Sequence, residues 1–379
     1  MEQNLKIGNH LVKYTYDIIN KYAPSSILVV SANKSYLENN ESINLFKEIL
    51  KKYKHVRYYG FKNNLNIDDV KKGLSIFKNN NCDMIIAIGG GSVIDMAKCI
   101  NAFQLDEISE LIEKIKNNSI INKDVPLLAI PTTTGTGSES TQFSVIYLDK
   151  KKYSLSSKYL LPNDVIIDPI LSQSQNPYQL SCSCMDAFCQ AIESYWAVSS
   201  DKVSKQYALK AIELCKENIV DAIKNKSHSA IYNMAIAANY SGRAINISRT
   251  TAPHSVSYAL TSYLDFPHGQ AVAMTISDFF KFNYEVSEES VNDIRGVKYV
   301  KSTIEDLIIA LGFKEINQVV IYIESLLLDI GLFNNEIKEK IRSQIDIIVE
   351  NGFNPDRMNN NPRLVSKDEL RTIFNNICQ

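Results

Sequence analysis

From about residue 26 to residue 170, short unbroken apolar runs alternate with stretches whose apolar positions recur at helical spacing. "SSILVVSA", "CDMIIAIGGGS" and "VPLLAIPTTTGTGSE" are runs of the first kind, with "HVRYYGF" a shorter relative. "NLFKEILKKY", "DDVKKGLSIFKNN" and "VIDMAKCINAF" carry the helical period. Val/Ile/Leu runs without polar interruption are the pattern of strands covered on both faces of a parallel sheet. The alternation therefore predicts a doubly wound α/β domain, a fold that binds ligands at the carboxyl ends of its strands.

Beyond Pro177 the pattern changes. "CMDAFCQAIESYWAV", "SKQYALKAIELCKENI", "SAIYNMAIAANYSGRAIN" and "STIEDLIIALGF" all have helical spacing, with few strand candidates between them. This predicts an all-helical second domain. The stretch "DPILSQSQNPYQL", rich in Pro, Ser, Asn and Gln, reads as the crossing between the two. The expected division is an α/β domain over 1–176 and a helical domain over 177–379.

Composition narrows the class. The chain of 379 residues is 45% apolar and 22% charged, with a formal net charge of -1. That is an ordinary globular protein with room for two cores. Near-neutral charge argues against nucleic acid or an anionic membrane as the main partner, since either favours a basic face. A small anionic substrate needs only a few local Lys or Arg. No apolar stretch approaches the roughly 18–20 residues needed to span a bilayer. "MEQNLKIGNHLVKYTYDII" is amphipathic and lacks the features of a signal peptide, so a cytoplasmic location is expected. The 7 cysteines do not form a disulfide framework, and Cys182 and Cys184 read as core residues rather than thiolate ligands.

Three groups of residues carry candidate chemistry. Gly89, Gly90, Gly91 and Ser92 lie between a buried run and a helical stretch. Such a turn lets a pyrophosphate approach backbone N–H groups and the positive end of a helix. It matches neither G-x-G-x-x-G nor the P-loop. In "IPTTTGTGSES", Thr132, Thr133 and Thr136 offer hydroxyls beside two further glycines. Two such turns at successive strand ends suggest one shared dinucleotide. The third group is a metal set: Asp186 and Gln190 lie four apart on one helical face, and His254 and His268 lie fourteen apart further on. One carboxylate and two imidazoles suit Fe(II), and Zn(II), Mn(II) or Co(II) accept them too. An ion held there with an open position would polarise a carbonyl oxygen.

"GGGSVIDMAK", "PTTTGTGSE", "DPILS", "MDAFCQAIESY" and "PHGQAVA", in this order, resemble the iron-containing (group III) alcohol dehydrogenases, from about Ser26 to the tail "NPDRMNNNPRLVSKDEL". The resemblance implies a metal-dependent, NAD(P)-linked dehydrogenase that works as a dimer or larger homo-oligomer on a small aldehyde or alcohol. It assigns Asp186, His254 and His268 to the metal, with Fe(II) favoured. Gln190 stands where most members carry another metal-binding histidine. Tyr258 stands where many carry a histidine used in proton relay, so it becomes the candidate proton donor. Lys152, Asn63 and Asp95 match positions on the cofactor side.

"GRAINISRTTAPHSVSYALTSYLDFPHG", "DAFCQAIESYWAVSSD" and "NPDRMNNNPRL" are similar to the branch that reduces phosphonoacetaldehyde to 2-hydroxyethylphosphonate. A phosphonate dianion asks for charge-assisted donors, for which Arg249, Thr250, Thr251 and Arg243 are candidates. For the coenzyme, an acidic residue after the first strand would repel a 2′-phosphate. Asn33 and Lys34 stand there instead, so NADP is expected to be accepted alongside NAD. Three other readings fit the same residues: a dehydrogenase for small neutral substrates, a dehydroquinate-synthase-like lyase, and a binding protein that has lost its metal through Gln190.

Overall fold

The computed structural model describes residues 3–33, 36, 40–62, 64–120, 125–148 and 151–379. It divides into two compact units, Met1–Gln175 and Asn176–Gln379.

The first unit is built on strands β1 (Asn4–Ile7), β2 (Ile27–Ser31), β3 (His55–Tyr58), β4 (Met84–Gly89), β5 (Leu127–Pro131) and β8 (Asp164–Ile167). They form one six-stranded sheet in the order β1-β8-β5-β4-β2-β3, every pairing parallel. β2, β4, β5 and β8 are buried at every position, which is why β2, β4 and β5 read as near-continuous apolar runs. Helices α1 (Thr15–Tyr22) and α2 (Glu41–Leu50) cover one face through Ile18, Ile19, Ile43 and Phe46. α3 (Ile67–Asn79) and α4 (Gly91–Phe103) follow β3 and β4, and α4 packs on β2, β4 and β5. Asn40 and Asn66 cap α2 and α3 by accepting first-turn N–H groups.

Two features escape the apolar pattern. The N-terminal stretch, read as merely amphipathic, supplies edge strand β1, with Asn4 opposite Asp164. Strands β6 (Phe143–Leu148) and β7 (Lys151–Ser156) form a separate antiparallel hairpin.

The order of strands matters for function. After β2 the chain places β3 on one side of it and β4 on the other. Between β2 and β4 the connections diverge, opening the crevice where such sheets hold ligands. The Gly89–Gly91 turn sits at that end of β4, and the Thr132–Gly137 turn at the same end of the neighbouring β5.

The two turns are held together by Lys98 of α4. This lysine is fully buried, and its Nζ donates to the carbonyls of Ser138 (2.6 Å), Thr141 (2.9 Å) and Phe143 (2.7 Å). Burial draws its pKa down to about 8 against the opposing pull of Asp95 and Glu139.

The second unit is helical: α6 (Pro177–Trp196), α7 (Lys202–Lys224), α8 (His228–Ser248), α9 (Ala252–Leu264), α10 (His268–Tyr284), α11 (Val297–Ala310), α12 (Ile316–Asp329) and shorter helices to Ile377. α5 (Leu111–Lys116) belongs to the first unit. α6 is buried almost throughout and packs against α7, α8 and α10. Gly269 sets the last contact: a Cβ there would stand 1.9 Å from the Cys182 carbonyl oxygen and 3.1 Å from Asp186 Cβ. No described helix is long and apolar enough to cross a membrane.

Replacing Lys98 by Met strands buried carbonyls and leaves Asp95 and Glu139 without their cation. Urea denaturation should show a loss of about 3–5 kcal/mol. A loss under about 1 kcal/mol would mean that Lys98 does not secure the two turns.

Candidate metal centre

α6 starts at Pro177 with Asn176 capping the Gln179 N–H at 2.8 Å. Its helical repeat then aligns Asp186, Gln190 and Glu193 along one side. α9 begins two residues before His254, with Pro253 in the first turn. His268 opens α10, where Gly269 allows the close approach to α6.

Asp186, His254 and His268 each present a ligand atom within 4.8 Å of the others. His254 Nε2 lies 3.4 Å from Asp186 Oδ1, and neither buried atom has a hydrogen-bond partner. The His254 and His268 rings are 5.2 Å apart and nearly perpendicular. Ser257 Oγ is 3.3 Å from His268 Nδ1. The Tyr258 ring lies 6.5 Å from the His268 ring.

The residue that organises this set is Glu193, which the sequence reading missed. It is fully buried and accepts from Thr251 N (2.8 Å), Thr251 Oγ1 (2.9 Å), His254 N (3.3 Å) and, at close range, His254 Nδ1. Trp196 Nε1 in turn donates to Thr251 Oγ1 at 2.9 Å. With its Nδ1 proton given to Glu193, His254 must aim the Nε2 lone pair at the Asp186 carboxylate. Two lone pairs at that distance repel unless a cation lies between them. Burial lowers the His254 pKa, but the carboxylates of Glu193 and Asp186 beside it outweigh that and push it up to about 9. A divalent ion between the two atoms would remove that repulsion. The donor set fits such an ion: ligands about 2.1 Å from one centre at the tetrahedral angle stand about 3.4 Å apart.

Gln190 lies one turn beyond Asp186, 4% exposed, and its Oε1 accepts from Ser241 Oγ at 3.1 Å.

The clamp candidates separate. Thr251 is corrected: its N–H and hydroxyl serve Glu193 and Trp196, and it is fully buried, so no donor is left for a substrate. Thr250 is buried, with its carbonyl accepting from Asn360 Nδ2. The Arg243 guanidinium lies 5.8 Å over the Tyr207 ring. Arg249 is exposed and adopts φ 60, ψ -174, a region in which residues other than Gly are strained. Asn360 holds it there by donating to the carbonyls on either side, Ser248 (2.8 Å) and Thr250 (3.0 Å). Asn360 Oδ1 accepts from Ser199 N (3.0 Å) and Ser199 Oγ (2.7 Å).

In the first unit, a Cβ on Gly90 would lie 3.2 Å from Thr133, and one on Gly91 2.9 Å from Thr136, so the two turns touch. Thr132 N donates to the Gly89 carbonyl at 3.0 Å. Ser92 is in the first turn of α4, half-buried. Asp95, expected on the cofactor side, has its carboxylate accepting from Ser138 Oγ (2.6 Å) and Val145 N (3.1 Å), so it also positions the Thr132–Gly137 turn and the hairpin. Lys152 is on β7 opposite Tyr147. Asn33 is exposed just after β2. Lys34 and Asn63 lie outside the described residues.

Changing Glu193 to Gln removes the charge that orients His254. Competition with a chromophoric chelator should show Zn(II) affinity falling about ten- to hundredfold, with the helical circular dichroism unchanged. Undiminished affinity would remove Glu193 from the support of the site.

The family profile "Iron-containing alcohol dehydrogenase" matches residues 3–169, and "Fe-containing alcohol dehydrogenase family, C-terminal" matches 181–378. A phosphonoacetaldehyde reductase of Streptomyces viridochromogenes is 30% identical over 240 residues, 61% of this chain and 60% of the relative. That match thus spans less than two thirds of the Streptomyces protein. An NADPH-dependent butanol dehydrogenase of Clostridium saccharobutylicum is 30% identical over 316 residues, 81% of this chain and 80% of the relative. In fold, the chain is similar to the crystal structure of sulfoacetaldehyde reductase from Bifidobacterium kashiwanohense in complex with NAD+. The TM-score is 0.88 at 24% identity, over 100% of this chain and 97% of that one. With both units matched over most of their length, the chain belongs to the iron-containing alcohol dehydrogenase family of oxidoreductases.

Proposed function

We propose that the protein reduces phosphonoacetaldehyde to 2-hydroxyethylphosphonate, using NADPH or NADH and a divalent metal, Fe(II) in preference to Zn(II). Asp186, His254 and His268 hold the ion, with Gln190 as a weaker neutral donor. When bound, the ion supplies Lewis-acid polarisation of the aldehyde. Glu193 keeps His254 in the tautomer that serves it. The Gly89–Gly91 turn, Ser92 and the hydroxyls of Thr132, Thr133 and Thr136 receive the coenzyme pyrophosphate, helped by the N-terminal end of α4. Lys152 contributes positive charge beside it. When bound, the coenzyme would supply a hydride to the aldehyde carbon, and Tyr258 Oη would deliver the proton to the oxygen.

The observation that carries the phosphonate is the strained, exposed Arg249, pinned through both neighbouring carbonyls. Strain kept at an exposed arginine five residues before His254 is a reason to look for a ligand. Its guanidinium offers two parallel donors to an oxyanion. The stretches similar to the phosphonoacetaldehyde-reducing branch also support the reading. Ser199, the Ser248–Thr250 segment and Asn360, one from each, form a single hydrogen-bonded node around Arg249. The longer match to a butanol dehydrogenase favours a neutral aldehyde as the second reading.

Oxidation of NADPH by the metal-loaded enzyme should be fastest with phosphonoacetaldehyde against acetaldehyde and butanal. Arg249→Ala should raise KM for phosphonoacetaldehyde about ten- to hundredfold while sparing butanal. Preference of the wild type for butanal would replace the phosphonate with a neutral substrate.

A further inference from the structure

Arg57 has no role in anything above. It sits on edge strand β3 in register with Val29 of β2, and its side chain runs toward the carboxyl ends of the strands. There Nε donates to Ser31 Oγ (2.6 Å) and Nη2 to the Ala32 carbonyl (3.0 Å). The guanidinium carbon lies 3.9 Å from the Tyr36 ring centroid and 4.2 Å from that of Tyr59. The cation thus lies over two aromatic rings, and Nη1 makes no hydrogen bond among the described residues.

The location gives this arrangement meaning. β2 is the neighbour of β4, whose end carries the glycine turn. In a doubly wound sheet the coenzyme runs from such a turn across to the end of the adjacent strand, where its adenosine ribose lies. Arg57 is bonded to the last residue of β2 and the one after it, immediately before Asn33. The tyrosines hold the guanidinium in place with Nη1 on its edge, and N–H donors on the edge of a planar cation suit phosphate oxygens. We propose that Arg57, held by Tyr36 and Tyr59, reads the 2′-phosphate of NADPH and makes the protein favour that coenzyme over NADH. A carbonyl cap on β2 alone would not call for two tyrosines around the cation.

The inference rests on the reading that the glycine turns bind a nicotinamide dinucleotide, so the test omits the aldehyde. NADPH and NADH are titrated separately into the wild type, Arg57→Met and Arg57→Lys, following nicotinamide fluorescence, with 2′-AMP and 5′-AMP as competitors. Arg57→Met should weaken NADPH about ten- to hundredfold and NADH by less than about twofold, with Arg57→Lys between wild type and Met. In the wild type 2′-AMP should compete better than 5′-AMP, and in Arg57→Met no longer. Equal weakening of both coenzymes would reduce Arg57 to a structural cap and overturn the proposal, as would a wild type that binds NADH but not NADPH. Binding of neither would instead bring down the dinucleotide reading on which it rests.

Discussion

A buried carboxylate must be satisfied inside the protein or it destabilises the fold by several kcal/mol. Glu193 meets that demand entirely with the first turn of α9 and the residue before it. The same contacts dock α9 on α6, fix the orientation of the His254 ring and leave its other nitrogen facing Asp186. The separation of Asp186 from His254 is thus a consequence of how Glu193 is neutralised. A pair of electron-rich atoms held together this way favours a cation, and the helices around it provide the rigidity that keeps them there.

The first unit uses a buried charge of opposite sign to similar effect. Lys98 gathers three carbonyls from the segment after the threonine turn, and Asp95, one turn earlier on the same helix, takes a hydroxyl and an N–H from that region. The helix that starts at the glycine turn therefore also anchors the second turn. Small residues complete the arrangement, since Gly90 and Gly91 let the threonine side chains rest against the backbone.

Asp95 and Thr251 share one lesson. Both are polar residues in motifs that point to ligand chemistry, and each also makes hydrogen bonds that hold the protein itself. Motif spacing marks a polar residue as important without saying whether it faces a ligand or holds the residue that does. Arg57 shows the converse: an ordinary arginine in a short strand gains meaning only from the tyrosines and strand ends around it.

The sequence alone determined the architecture of both units, because buried parallel strands and amphipathic helices leave local periodicities that need no knowledge of distant contacts. It also displayed the metal-suited residue types and the two glycine turns, since their chemistry is carried by composition over a few residues. Other features were beyond it for a physical reason. β1 is short and alternates in burial, so only its pairing with β8, some 160 residues away, makes it a strand. Glu193 lies 61 residues from His254, Asn360 lies 110 from Thr250, and Lys98 lies 40 from Ser138. Which polar atoms satisfy one another across such distances is decided by helix and strand packing, because the energy of a buried hydrogen bond depends on geometry that local sequence does not encode.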